Sequence, residues 1–142
     1  MEIKRTYFEE DEFDTGIRNL LNYGHCYGHA LEASSNYEVC HGEAVIVGMG
    51  IANRIALKRG LLSSSLYTEL EAIFQKHYPK FNAGAISGDE ILYHMKRDKK
   101  RIGPDLTTIL LHQVGSAKKH DDIQELEITD AMESFNNDYR TN

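Results

Sequence analysis

The stretch EAVIVGMGIANRIALKR, residues 43–59, is apolar on nearly every side of a helical projection and stops at Gly60, a natural C-cap residue. A helix of that kind belongs in the centre of a core, with other elements packed around it. The fold is therefore predicted to be built about this segment. From Ile17 to about Ser34, the residues Ile17, Leu20, Leu21, Tyr27 and Leu31 recur at helical spacing and read as a first long helix. Gly24 and Gly28 sit inside it, each costing roughly 1 kcal/mol of helix propensity relative to alanine. The offset predicted here is close approach of a neighbouring backbone, the central helix with its own Gly48 and Gly50.

The remaining elements carry local stop and start signals. SSSLYTELEAIFQKHYP (63–79) offers a serine N-cap and stops before Pro79, and SGDEILYHMKRDKK (87–100) opens with a Ser87/Glu90 capping box. After Gly103-Pro104, LTTILLHQVG is short and rich in β-branched and aliphatic residues, as a strand would be. IQELEI (123–128) is the expected pairing partner, and TDAMESF (129–135) a final helical turn or two. The predicted class is mainly α, a multi-helix domain with a small β-hairpin near the C-terminus. With 142 residues, two prolines and no Ser/Gly linker, residues 1–142 are read as one domain.

Composition removes several function classes. The net charge is −6 and the basic residues are scattered, so a nucleic-acid partner is not expected. The longest apolar run, Ala44 to Ala52, is too short to span a bilayer, so no membrane anchor is predicted. Cys26 and Cys40 are too few for a disulfide framework and read as buried, inert thiols. The N-terminus MEIKRTYFEEDEFD lacks the apolar stretch of a signal peptide, and a cytoplasmic location is the expectation.

The candidate site lies in NYGHCYGHALE, residues 22–32. On a continuous helix Asp14, Arg18, Asn22, His25 and His29 share an arc of roughly 80°. The plain alternative is a solvated face, but such faces usually carry Lys and Glu rather than Arg, Asn and two His. His25 and His29, at i and i+4, have the spacing to chelate one metal, yet no Glu follows His25 and the HExxH motif is absent. A third histidine, His41, stands in CHGEA before a helix N-terminus. A catalytic zinc needs three protein ligands and an open position, and no carboxylate is assigned from spacing. A Cys2His2 site from Cys26, Cys40, His25 and His41 is disfavoured, because adjacent helical residues point about 100° apart. His77, His94, His112 and His120 show no ligand spacing and read as ordinary surface or edge residues. MKRDKKRIG (95–103) is either a solvated helix end or the source of a lysine for a phosphate or carboxylate, and Lys4 reads as a surface residue.

Taken together, LLNYGHCYGHALEA, CHGEAVIVGM and MKRDKK with a downstream ILLHQVG resemble the C-terminal domain of 3-dehydroquinate synthase and its sugar-phosphate cyclase relatives. The resemblance covers Lys4 to about Gly115. It implies a divalent zinc or cobalt ion held by His25, His41 and a glutamate from an N-terminal domain, with His29 an active-site residue near substrate instead of a ligand. Arg18, Asn22, Lys4 and Lys99 match the family's substrate-site residues, and Asp14 stands where the family has a glutamate, with a shorter reach.

The implied reaction is NAD-dependent. A secondary alcohol of a phosphorylated seven-carbon keto acid is transiently oxidised, phosphate is eliminated, the ketone is reduced again, and an aldol step closes the ring, as in the shikimate pathway. His29 would suit proton shuttling. Arg18 would hold the carboxylate with Lys4 beside it, while Asn22 and Lys99 would help position the leaving phosphate.

The sequence carries no GxGxxG-like turn with alternating strands and helices, so the NAD-binding domain is expected to be absent from the chain. The chain by itself is accordingly expected to bind metal weakly, to bind NAD poorly and to be inactive, as a truncated domain of a synthase. Other expectations are a cyclase that makes a cyclitol, or a non-catalytic helical domain. A homodimer through the face left by the missing domain is a further expectation.

Overall fold

The computed structural model describes residues 7, 9, 11, 16–79, 86–98 and 106–140; Lys4, Asp14 and Lys99 lie outside the described residues. Among the described residues five α-helices follow one another: α1 (His25–Ser34), α2 (His41–Lys58), α3 (Ser64–Phe74), α4 (Gly88–Asp98) and α5 (Glu125–Arg140). Strands β1 (Thr108–Gln113) and β2 (Ser116–His120) form an antiparallel hairpin between α4 and α5. The mainly α class with a small hairpin is what the sequence predicts.

Helix α2 is the axis of the domain. Ala44, Val47, Ile51, Ala52, Ile55 and Ala56 along it are buried from solvent, and α1, α3, α5 and β1 all pack against it. Helix α4 closes the layer by packing on α1 and α5. Its N-terminus carries the predicted capping box: the Glu90 carboxylate accepts from the Ser87 backbone N–H at 2.9 Å and Ser87 Oγ accepts from the Glu90 N–H at 3.2 Å. Ser63 likewise caps α3, accepting from the Leu66 N–H. Tyr27 and Leu31 of α1, Ile91 of α4, Leu110 of β1 and Ile128, Met132 and Phe135 of α5 complete the core.

The contact between α1 and α2 explains three of the glycines. A Cβ on Gly24 would sit 2.7 Å from the Val45 carbonyl oxygen and the Met49 nitrogen, and one on Gly28 would lie 3.0 Å from Val45 Cα. A Cβ on Gly48 would collide with the Gly24 carbonyl oxygen. The two backbones therefore touch, as the glycine spacing predicts. Gly50 is the exception: it faces the Tyr78 hydroxyl.

The single helix expected from Ile17 is broken. Residues Ile17–Asn22 form a 3-10 turn, Tyr23 is extended, and Gly24 adopts φ 79° as the N-cap of α1. That left-handed backbone, which favours glycine, lets the Gly24 carbonyl bond the Gly28 N–H while lying against Gly48. Tyr23 is pinned by its hydroxyl, which donates to Asn53 Oδ1 on α2. Arg18 and Asn22 thus belong to a different element from His25 and His29, and the five-residue stripe does not exist as one helical face.

Three other expectations are corrected. The partner of β1 is Ser116–His120, because Val114-Gly115, with Gly115 at φ 75°, turns the chain back at once and pairs Gln113 with Ser116. IQELEI does not pair: its Glu125 starts α5, where Ile128 is buried and Glu127 reaches back to Arg59 at the C-cap of α2. The final helical turn or two is a helix of 16 residues. Cys40 is exposed at the N-cap of α2, whereas Cys26 is largely buried with its Sγ 3.4 Å from Thr108 Oγ1; burial pushes the Cys26 thiol up to about 11. No helix among the described residues is long and apolar enough to cross a membrane.

Candidate functional site

The first turn of α1 and the first turn of α2 meet at the glycine contact, and each delivers histidine there. The ring centres of His25, His29 and His41 form a near-equilateral triangle, with sides of 5.8 Å (His25–His29), 5.6 Å (His25–His41) and 5.5 Å (His29–His41). Two imidazoles sharing a tetrahedral ion, with Zn–N near 2.0–2.1 Å, have ring centres roughly 5 Å apart. The observed spacings fall within a small side-chain adjustment of that value.

Nitrogen roles follow from the neighbours. His25 Nδ1 lies 3.3 Å from the Tyr23 carbonyl oxygen, which can only accept, so the tautomer assigned is Nδ1–H with the Nε2 lone pair free. His41 Nδ1 lies 3.0 Å from Glu32 Oε2, and the same logic leaves its Nε2 free. In both rings one nitrogen is tied by an oxygen and the other is open, the arrangement that orients metal-binding histidines. Burial is the main cause that lowers the His25 pKa from its ordinary value, with the His29 and His41 charges adding to it, so this ring is neutral at pH 7.

Glu32 brings to the cluster a carboxylate where spacing assigned none. His29, Glu32 and His41 each offer a ligand atom, all within 4.8 Å of one another. A signal was present in the sequence, since Glu32 follows His29 by three residues and so shares its face of α1. Two overlapping donor sets therefore exist: His25 with His41, and His29 with Glu32 and His41. A borderline-soft ion such as zinc fits imidazole and carboxylate donors of either kind.

Two clefts flank the histidines. One of about 180 Å³ is lined by Asn19, Asn22, His25, His29, Thr108 and others, and so gathers Asn22 with two of the predicted histidines. The other, of about 490 Å³, lies between α1 and α4 and is lined by His29, Glu32, Tyr37, His94 and Arg97, among others. His29 and Cys26 border both. The sequence reads His94 as an ordinary surface or edge residue and Arg97 only as part of the basic run 95–103; both line this cleft, and Arg97 is steadied by Tyr93, whose ring lies 5.5 Å from its guanidinium carbon. Arg18 is half-buried on the 3-10 turn with its backbone N–H donating to Asp11 Oδ2 at 3.1 Å, and it lines neither cleft.

Comparison with known proteins places this arrangement in a family. The 3-dehydroquinate synthase C-terminal family model matches residues 1–101. The 3-dehydroquinate synthases of Shewanella loihica and Streptococcus suis are each 37% identical to the chain, over 87% and 84% of its length, but these matches span 35% and 34% of the relatives. The chain thus spans about a third of the length of these curated relatives. Among solved structures, 2-epi-5-epi-valiolone synthase from Streptomyces hygroscopicus subsp. jinggangensis, with NAD+ and Zn2+ bound, superposes with a TM-score of 0.78 at 20% identity, covering 94% of this chain and 37% of that one. A 2-deoxy-scyllo-inosose synthase complexed with carbaglucose-6-phosphate, NAD+ and Co2+ gives 0.77 at 23% identity, covering 94% and 38%. The solved neighbours establish the fold and the closer sequence relatives the family: the chain belongs to the 3-dehydroquinate synthase C-terminal domain family.

Proposed function

We propose that the chain is the metal- and substrate-binding part of a 3-dehydroquinate synthase, acting on a phosphorylated keto acid together with an NAD-binding domain supplied by the rest of the enzyme. The observation that carries this reading is the convergence of His25 and His41, 5.6 Å apart between ring centres, each with Nδ1 tied by an oxygen and Nε2 free. His25 and His41 would hold a divalent zinc or cobalt ion. Bound there, the ion would supply Lewis acidity toward an alcohol or carbonyl oxygen.

The chain's own residues do the rest. Glu32 holds the His41 ring in register and fixes its tautomer. His29, exposed at the junction of the two clefts, is placed to move a proton to or from bound substrate. Asn22 presents an amide to the smaller cleft for a phosphate or hydroxyl oxygen. Arg18, Lys4 and Lys99 are the cations assigned to the carboxylate and phosphate of the substrate, and Asp14 a further substrate contact.

The curated relatives at 37% identity are named 3-dehydroquinate synthases, which favours that activity over cyclitol formation. The experiment joins the chain to the NAD-binding part of the Shewanella loihica relative and measures phosphate release from the seven-carbon substrate. Turnover that His29→Ala abolishes without loss of folding supports the proposal; an undiminished rate in that variant rejects the role of His29. The unjoined chain is expected to give no calorimetric signal with NAD, and micromolar binding would overturn that expectation.

A further inference from the structure

The hairpin makes a second histidine site, apart from the α1–α2 cluster. His112 and His120 lie eight residues apart in sequence, yet their Nε2 atoms are 3.0 Å apart, with ring centres at 5.3 Å and planes inclined by 30°. Two Nε2 atoms facing one another at this distance cannot both carry hydrogen. They share one proton, or they share a cation. Two imidazole nitrogens on a tetrahedral zinc stand roughly 3.3–3.4 Å apart, so the pair needs to open by only about 0.3–0.4 Å to seat one.

The surroundings prepare one ring for that role. His120 Nδ1 faces Asp122 Oδ1 at 3.7 Å, and Asp122 is held in place by Arg59 Nη1 at 2.8 Å. Arg59 is itself clamped by Glu127, whose carboxylate lies 2.6 Å from Nε and 2.7 Å from Nη2. A carboxylate anchored behind the ring favours hydrogen on Nδ1 and leaves the Nε2 lone pair aimed at His112. With that lone pair facing it at 3.0 Å, His112 Nε2 carries the single shared hydrogen, which a bound cation would replace. The His120 side chain is 19% exposed, which leaves water a path to complete a coordination shell.

We propose that His112 and His120 form a binding site for a divalent transition metal of the imidazole-preferring kind, Zn2+ being the reference ion, with water filling the remaining positions and Asp122 positioning His120. The site draws on neither His25 nor His41 and stands whether or not the family activity holds.

The test titrates Zn2+ by calorimetry into the chain carrying His25→Ala, His29→Ala and His41→Ala, which removes the other imidazole cluster. One equivalent is expected to bind. Adding His112→Ala or His120→Ala is expected to weaken that event at least tenfold, and Asp122→Asn by roughly 10–100-fold, the usual effect of removing an outer-shell partner. No uptake in the triple variant, or uptake unchanged by His112→Ala, overturns the proposal. In the unsubstituted chain, imidazole resonances of His112 and His120 should shift together as Zn2+ is added; resonances that stay in place at saturation overturn it independently.

Discussion

Helix α2 is fastened on its two sides by opposite means. Toward α1 the fastening is backbone against backbone, with Gly24, Gly28 and Gly48 leaving no room for a β-carbon. Toward α3 and α5 it includes charge: Arg54 reaches Glu71 and Asp138, Lys58 reaches Asp130, and the following Arg59 reaches Glu127 and Asp122. The first seam tolerates almost no displacement, because van der Waals repulsion rises within tenths of an ångström. The second is adjustable, since long side chains can re-aim and surface pairs are worth little. The candidate site sits on the rigid seam, where the close backbone contact fixes the main-chain positions from which the histidines project.

The difference can be broken most sharply at Gly48. Gly48→Ala places a β-carbon on the Gly24 carbonyl, and the expected loss is at or above about 4 kcal/mol, read from urea unfolding. Gly42→Ala, in the same helix but open to solvent, should change stability by no more than about 1 kcal/mol and in the stabilising direction. If the two variants behave alike, the backbone contact is not what holds the seam.

Arg54 is the one charged contact of the second seam that should rival the first. Its guanidinium is buried, 2.9 Å from Glu71 and 2.8 Å from Asp138, and Glu71 also accepts from the Tyr78 hydroxyl. Arg54→Ala strands a buried carboxylate and should cost about 3–5 kcal/mol, whereas replacing Arg54 and Glu71 together by apolar residues of similar size should recover most of it. A double variant no better than the single would show that packing, and not charge, was lost.

Smaller effects sharpen the comparison at the site and at the surface. Glu32→Ala should lower Zn2+ affinity of the α1–α2 cluster by roughly 10–100-fold with little change in melting temperature. Loss of melting temperature without loss of affinity would make Glu32 structural. The smallest effect is at Arg59, which holds the Glu127 carboxyl below its ordinary pKa of 4.5. Below that pH the unfolded chain binds more protons than the folded one, so this stabilisation, present above about pH 4.5, is lost as pH falls further. Arg59→Ala should flatten that part of the stability–pH curve, and an unchanged slope would remove Glu127 as its source.

Legibility of the sequence followed the range of the signal. The serine caps of α3 and α4 are bonds between residues three apart, so the chain announces them locally. The apolar girth of α2 demands burial wherever it packs. The partner of β1 is not legible because SAKKH carries two lysines, one apolar residue and no apolar alternation, while the two-residue turn at Gly115 decides the pairing. Glu32 was readable as the i+3 neighbour of His29, but its bond to His41 spans nine residues and a loop. His112 and His120 had no local mark at all.

What the sequence determined by itself was periodic or covalently near: which segments are helical, which helix is central, where glycines demand contact, and which motif residues are candidates for chemistry. Only the tertiary structure decided that Gly24 turns left-handed and separates Asn22 from His25, that Glu32 backs His41, and that two hairpin histidines meet. The physical reason is that a glycine's φ, a histidine's tautomer and a carboxylate's partner are each chosen by atoms far away in the chain, and hydropathy carries no record of which distant atoms those are.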